Sequence, residues 1–171
     1  IESSRTVRNL HNAIKKLAND LYSKETHFLL ELVQNAEDNE YKTDACLSFS
    51  LLKTDPTNTE GSVGALLIQN NEVGFGIKNI EAICAVGEST KTKASGYIGE
   101  KGIGFKSVFR ITSTPHIYSG GYCIKLPEKL EGIDLGYIVP DWVEHVPSCV
   151  DKEQTSIILP LDKSDEFDFQ K

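Results

Sequence analysis

Glu31, Gln34, Asn35 and Asp38 recur at i, i+3, i+4 and i+7 in the stretch ELVQNAEDNE. At about 100° per residue this spacing puts two carboxylates and two amides on one helical stripe. Phe28, Leu29, Leu32, Val33 and Ala36 form the adjacent apolar stripe, so the helix sits between a core and something polar. A carboxylate and an amide turned together into a protein are costly without partners. Taken alone, the pattern also fits the solvated face of an ordinary amphipathic helix. Two glycine clusters follow, Gly74 and Gly76 in NNEVGFG, then Gly99, Gly102 and Gly104 in GYIGEKGIGFKS. Glycine permits φ > 0 and close backbone approach, and successive amides near a helix start form a donor nest for anions, of which a phosphate chain is the natural occupant. The spacing of GEKGIG is GxxGxG, neither the GxGxxG of a dinucleotide fold nor the GxxxxGK of a P-loop. Either cluster alone is equally compatible with hairpins and tight turns.

The elements that must position these residues follow from period and punctuation. Leu10, Ala13, Ile14, Leu17 and Leu21 share one face of a helix predicted over 6–21, and the Glu31 helix follows after a break at Ser23. Strands are expected at 45–52 and 65–69, separated by TDPTNTEGSVG, with a helix at 77–86. Residues 105–108 continue as helix into a strand at 110–113. A hairpin is predicted from 116–119 and 122–126 around Gly120 and Gly121, and a last strand at 156–161. The stretch 127–147 reads as irregular, with Trp142 tucked against the sheet.

The order of these features, a Glu/Asn/Asp helix, an acidic residue with GxG after a strand, GxxGxG, and a late Thr before a strand, resembles the GHKL ATPases. That superfamily takes in type II topoisomerases, ninety-kilodalton heat-shock chaperones, sensor histidine kinases and MutL proteins. Within it, IGEKGIGFKSVF and NNEVGFGIKNIEAICAVGESTK resemble the chaperone-like modules of NO VEIN type, with sacsin and MORC modules more distant. The resemblance implies an α+β, two-layer Bergerat sandwich spanning 1–171 as a single domain, with a mixed sheet, helices on one face and ATP or ADP between the layers. It implies Glu31 as the general base on the attacking water, Asn35 as the Mg²⁺ ligand, and Asp38 as a supporting acid. Glu72 falls where most of the superfamily has Asp to accept from the adenine amino group. Asn70 and Asn71 either share that task or populate a turn. Gly74 and Gly76 would lie against the purine with Ile77 and Ile80 over it, and Thr155 would reach the base through water. Residues 85–98 correspond to a lid, where Ser89, Thr90, Lys91 and Lys93 meet phosphate or solvent. Gly99, Lys101, Gly102, Ile103 and Gly104, with Phe105 behind them, would present donors to the phosphates.

What the resemblance implies functionally is slow Mg²⁺-dependent ATP hydrolysis by the switch domain of a chaperone-like or nuclear regulatory protein. The alternatives are ATP-dependent interaction without turnover in isolation, and histidine-kinase-type phosphotransfer. Implied partners are other domains of the same polypeptide, protein clients, and a second copy in the nucleotide-closed state.

Composition narrows the classes. The 171 residues are 39% apolar and 25% charged, ordinary for one globular domain. The net charge of −7 argues against nucleic-acid binding, which needs a basic surface. There is no apolar run of membrane-spanning length and no signal-peptide pattern, so an intracellular setting, nucleus or cytoplasm, is expected. Cys46, Cys84, Cys123 and Cys149 are widely separated and read as reduced, buried thiols rather than metal ligands. A start at Ile1 and the absence of Met suggest a piece of a longer protein.

Overall fold

The structure, a computed structural model, describes residues 27–85, 104–127 and 139–162. The predicted 6–21 helix, the lid after Ala85, and Gly99, Lys101, Gly102 and Ile103 lie outside the described residues.

Helix α1 spans His27–Glu37 and buries Phe28, Leu32, Val33 and Ala36, the i, i+4, i+5, i+8 set that the apolar stripe requires. Its end is closed by Asp38 N–H donating to the Gln34 carbonyl at 3.1 Å and by the Tyr41 hydroxyl donating to the Ala36 carbonyl at 2.6 Å. These bonds satisfy carbonyls that a helix terminus leaves open. Strand β1 (Leu47–Leu52) and strand β2 (Ser62–Asn70) form a hairpin whose long turn is organised by Asp55. Its carboxylate accepts from the Thr57 and Thr59 amides and from the Ser62 hydroxyl. Helix α2 (Ile77–Cys84) starts at Gly76, whose N–H donates to Asn79 Oδ1 at 2.9 Å.

Phe105–Arg110 form a 3₁₀ helix, η1. Residues 110–113 carry no strand, because Ile111 and Thr112 turn their N–H groups back to the Val108 carbonyl. Strands β3 (His116–Ser119) and β4 (Tyr122–Lys125) form the expected hairpin. Gly120 and Gly121, at φ 59° and 88°, supply the left-handed pair that a two-residue turn matching strand twist demands. The two-residue strand β5 (Asp141–Trp142) and the long strand β6 (Thr155–Asp162) complete the set.

Among the described residues the sheet order is β1-β2-β6-β3-β4-β5, and every pairing is antiparallel. The expected mixed sheet is therefore corrected. The last long strand enters between two hairpins, β1-β2 and β3-β4, and runs against both of its neighbours. This central place explains why β6 is buried continuously from Thr155 to Leu161 rather than on alternate residues.

The helices lie on one face of the sheet. Phe28, Leu32, Ile80, Ile83, Phe105 and Val108 pack there against Ile68, Ile117, Ile124, Ile157 and Leu159. The opposite face carries Ala65, Leu67, Tyr118 and Ile158, covered by Val143, Val146, Cys149 and Val150. Residues 143–150, which overlap the end of the stretch to which the sequence assigns no purpose, thus roof the second face. Trp142 is not tucked in: it is 65% exposed and stacks on Tyr122 at 6.2 Å. The four thiols are free; Cys46 is exposed and the others half-buried, less buried than expected. Among the described residues no helix is long and apolar enough to cross a membrane.

Candidate functional site

A cleft of about 80 Å³ opens between the C-terminal half of α1, α2 and the sheet. Its walls are apolar, lined by Leu32, Leu47, Ile68, Phe75, Ile83 and Ile157. Four amides interrupt them: Asn35, Asn39, Asn70 and Asn79. Apolar walls with a few placed polar groups are the usual make-up of a small-molecule site, although such sites ordinarily hold about 300–1,000 Å³. The described residues therefore provide a floor and two walls.

Asn35 reaches the cleft because it follows Glu31 by one turn on the stripe read from sequence, and Asn39 joins it from beyond the end of α1. Neither the Asn35 nor the Asn39 side chain makes a hydrogen bond among the described residues. Glu31 lies one turn back, a quarter exposed, with Oε1 3.5 Å from His27 Nε2. Its other carboxylate oxygen rests against Gly104, in space that a Cβ there would occupy. Gly104, the last residue of the GxxGxG run, is also the residue from which η1 starts. Phe105, buried behind it, lines the cleft. The acidic helix edge and the end of the second glycine run thus meet.

Other residues singled out from sequence lie elsewhere. Asp38 is exposed beyond the end of α1. Glu72 is 6% exposed and pairs by its backbone with Tyr41 rather than lining the cleft. Burial first, and the Glu72 charge second, push the Tyr41 phenol up to about 12. Gly74, at φ 94°, packs backbone to backbone on Gly120. The first glycine cluster is thereby explained by contact with the β3-β4 turn. Gly76 caps α2, and Ile77 is 57% exposed while Ile80 is buried in the core. Thr155 is buried, its hydroxyl 2.5 Å from Ser119 Oγ, and Ser119 Oγ accepts from Phe75 N–H at 2.8 Å. This chain of hydroxyls clamps the 72–76 loop to two central strands.

The two neighbouring amides are separated by their bonds. Asn71 Oδ1 accepts from Cys46 N–H at 2.7 Å, and Nδ2 donates to Thr43 and to the Asp44 carbonyl. It ties down the connection between α1 and β1. Asn70 Oδ1 accepts from Glu72 N–H at 3.3 Å, and the side chain lines the cleft.

The Sacsin domain family matches residues 7–130, well over half of the chain. The chain belongs to the Sacsin-domain family. Protein NO VEIN of Arabidopsis thaliana is 47% identical over 133 residues, covering 77% of this chain and 4% of that protein. The chain thus corresponds to a small part of its relative's length. Within this Sacsin domain the family match covers α1, both glycine clusters and the strands through β4, whereas β5 and the central strand β6 lie beyond residue 130. Asn39, Phe75, Asn79 and Ile83 are cleft residues that sequence reasoning passed over. Asn39 lies two residues past the end of α1, where helical spacing gives no signal.

Proposed function

We propose that this Sacsin domain binds Mg²⁺-ATP in the cleft between α1, α2 and the sheet and hydrolyses it slowly, as a Bergerat-type domain of the GHKL superfamily. The observation that carries the reading is the meeting of Glu31 with Gly104, with Asn35 one turn further on in the cleft. The donor set fits the ligand. Mg²⁺ takes few protein oxygens when phosphates and water supply the rest, so a single amide oxygen at Asn35 suffices. When bound, Mg²⁺-ATP supplies an electrophilic phosphorus whose charge the ion partly neutralises.

The chain's own residues do the rest. Glu31, held at the start of η1 and still in contact with solvent, orients a water and accepts its proton. Gly104 leaves the space in which that carboxylate sits. Phe75, Ile83 and Ile157 shield the inner end of the cleft from water, where a flat ring is better accommodated than a charged group. The small share of NO VEIN that the chain represents favours a division of labour in which binding resides here and full turnover draws on the rest of the protein, as a switch in a chaperone-like or nuclear regulatory machine.

Calorimetry with ATP and ADP, with and without Mg²⁺, tests the reading. Native protein binds ATP more tightly with Mg²⁺, and Asn35→Ala loses that dependence. Absence of any ATP binding by the native chain would overturn the reading.

A further inference from the structure

Tyr118 stands on the second face of the sheet with Ala65, Leu67 and Ile158, opposite Cys123 in the β3-β4 hairpin. It is 3% exposed, and among the described residues its hydroxyl has no hydrogen-bond partner. A buried hydroxyl without a partner is costly, so the position calls for an acceptor that the described residues do not supply. The side chain lies in the wall of a cavity of about 280 Å³ beside the β3-β4 turn, whose lining includes Tyr122, Cys123, Val146 and Val150.

Water suits this space poorly. A buried water takes two to four polar partners, whereas other polar side chains of the lining are already engaged: Asp151 accepts from Gln154 Nε2, and Ser119 is bonded to Thr155 and Phe75. A cavity of about 150 Å³ takes up benzene, so this one has room for a ring with a short substituent. Tyr122 stacks on Trp142 at 6.2 Å, and Trp142 is 65% exposed, so apolar surface continues from the cavity wall out to solvent. Burial first, then the negative charges of Cys123, Cys149 and Asp55, raises the Tyr118 phenol above its ordinary value. The hydroxyl therefore stays protonated and donates, and those neighbours offer an anion no counter-charge.

We propose that this cavity is a second binding site, for a small neutral molecule with an apolar ring and one carbonyl oxygen, the Tyr118 hydroxyl donating to that oxygen. Val146, Val150 and Tyr122 give the ring its apolar walls. The site lies on the opposite face of the sheet from the α1-α2 cleft and does not depend on the ATP reading.

The test is titration of the native chain with acetophenone, followed by NMR of the tyrosine rings and valine methyls. α-Methylstyrene has the same shape with a methylene in place of the carbonyl oxygen, and benzoate carries a carboxylate in place of the ketone. Acetophenone should shift the Tyr118 ring signals, identified by their absence from Tyr118→Phe. It should bind about three- to tenfold more tightly than α-methylstyrene, the worth of a neutral hydrogen bond. In Tyr118→Phe, followed at the Val146 and Val150 methyls, the two should bind equally. Absence of any shift at Tyr118, or equal affinity of the two compounds in the native chain, overturns the proposal. So does tighter binding of benzoate, or an advantage for acetophenone that survives in Tyr118→Phe. Should that variant fail to fold, the native chain decides: contacts from acetophenone to the Val146 and Val150 methyls together with the same ranking sustain the proposal, and the lack of either overturns it.

Discussion

Against one face of the sheet pack α1, α2 and η1, and between them and the strands lies a cleft in which the Asn35 and Asn39 side chains make no hydrogen bond among the described residues. Against the other face lies irregular chain, Val143 to Val150. There too is a cavity, of about 280 Å³, beside the β3-β4 turn, and the buried Tyr118 hydroxyl in its wall has no hydrogen-bond partner among the described residues. Of its other polar side chains, Asp151 accepts from Glu153 N–H and Gln154 Nε2, and Ser119 is bonded to Thr155 and Phe75. Volume alone favours this second face. What singles out the helix face is that Glu31 and Gly104 meet there, with Asn35 one turn further on in the cleft.

Four experiments break or sharpen this contrast. The largest effect is expected on the helix face: Glu31→Ala should lower ATP turnover by about 10²- to 10⁴-fold, the usual worth of a general base, while thermal unfolding stays near the native midpoint. Turnover equal to native would remove Glu31 from the chemistry. On the second face the effect should fall on stability instead. Ile158→Ala, at a fully buried position, should cost about 2–5 kcal/mol in urea unfolding and leave ATP affinity of the folded fraction unchanged.

A pH titration addresses the same face. His116 is buried, stacked on Tyr118 at 6.4 Å, and burial outweighs the Thr114 carbonyl bond to lower its imidazole to about 4 from 6.5. Between these values the unfolded chain takes up the proton and the folded one does not, so stability is complete above pH 6.5 and declines as pH falls toward 4. The decline is about 1.4 kcal/mol per unit, or roughly 3 kcal/mol in all. His116→Gln should flatten that slope in urea midpoints measured from pH 4 to 7. The smallest effect joins the two faces: Thr155→Val should cost about 1 kcal/mol by cutting the hydroxyl chain to Ser119 and Phe75. It should weaken ATP binding only through the loosened 72–76 loop. A loss of affinity exceeding the loss of stability would mean that Thr155 meets the ligand itself.

Much of the candidate site was legible before any coordinates. The placing of Glu31 and Asn35 on one stripe needs only the 3.6-residue period, and the β3-β4 hairpin needs only Gly120 and Gly121 between two apolar runs. Where the reading failed, long-range packing had intervened. Trp142 was expected inside because it is large and apolar, but a two-residue edge strand has room for it only on the surface beside Tyr122. Residues 110–113 have strand composition, yet their amides are drawn back to Val108. Gly74, of the first glycine cluster, also packs on Gly120, a residue far along the chain that no local pattern points to.

Local sequence therefore determined what depends on neighbours within a turn or two: α1 and its polar edge, the two hairpins, the turn glycines, and the helix that begins after Gly76. Tertiary structure decided which of these meet. It set β6 between the two hairpins, closed the second face with 143–150, brought Glu31 against Gly104, assigned Asn70 to the cleft and paired Glu72 with Tyr41. The physical reason is that dihedral preference and hydrophobic period act over a few residues. Which polar atom is left without a partner depends on contacts between segments far apart in the chain.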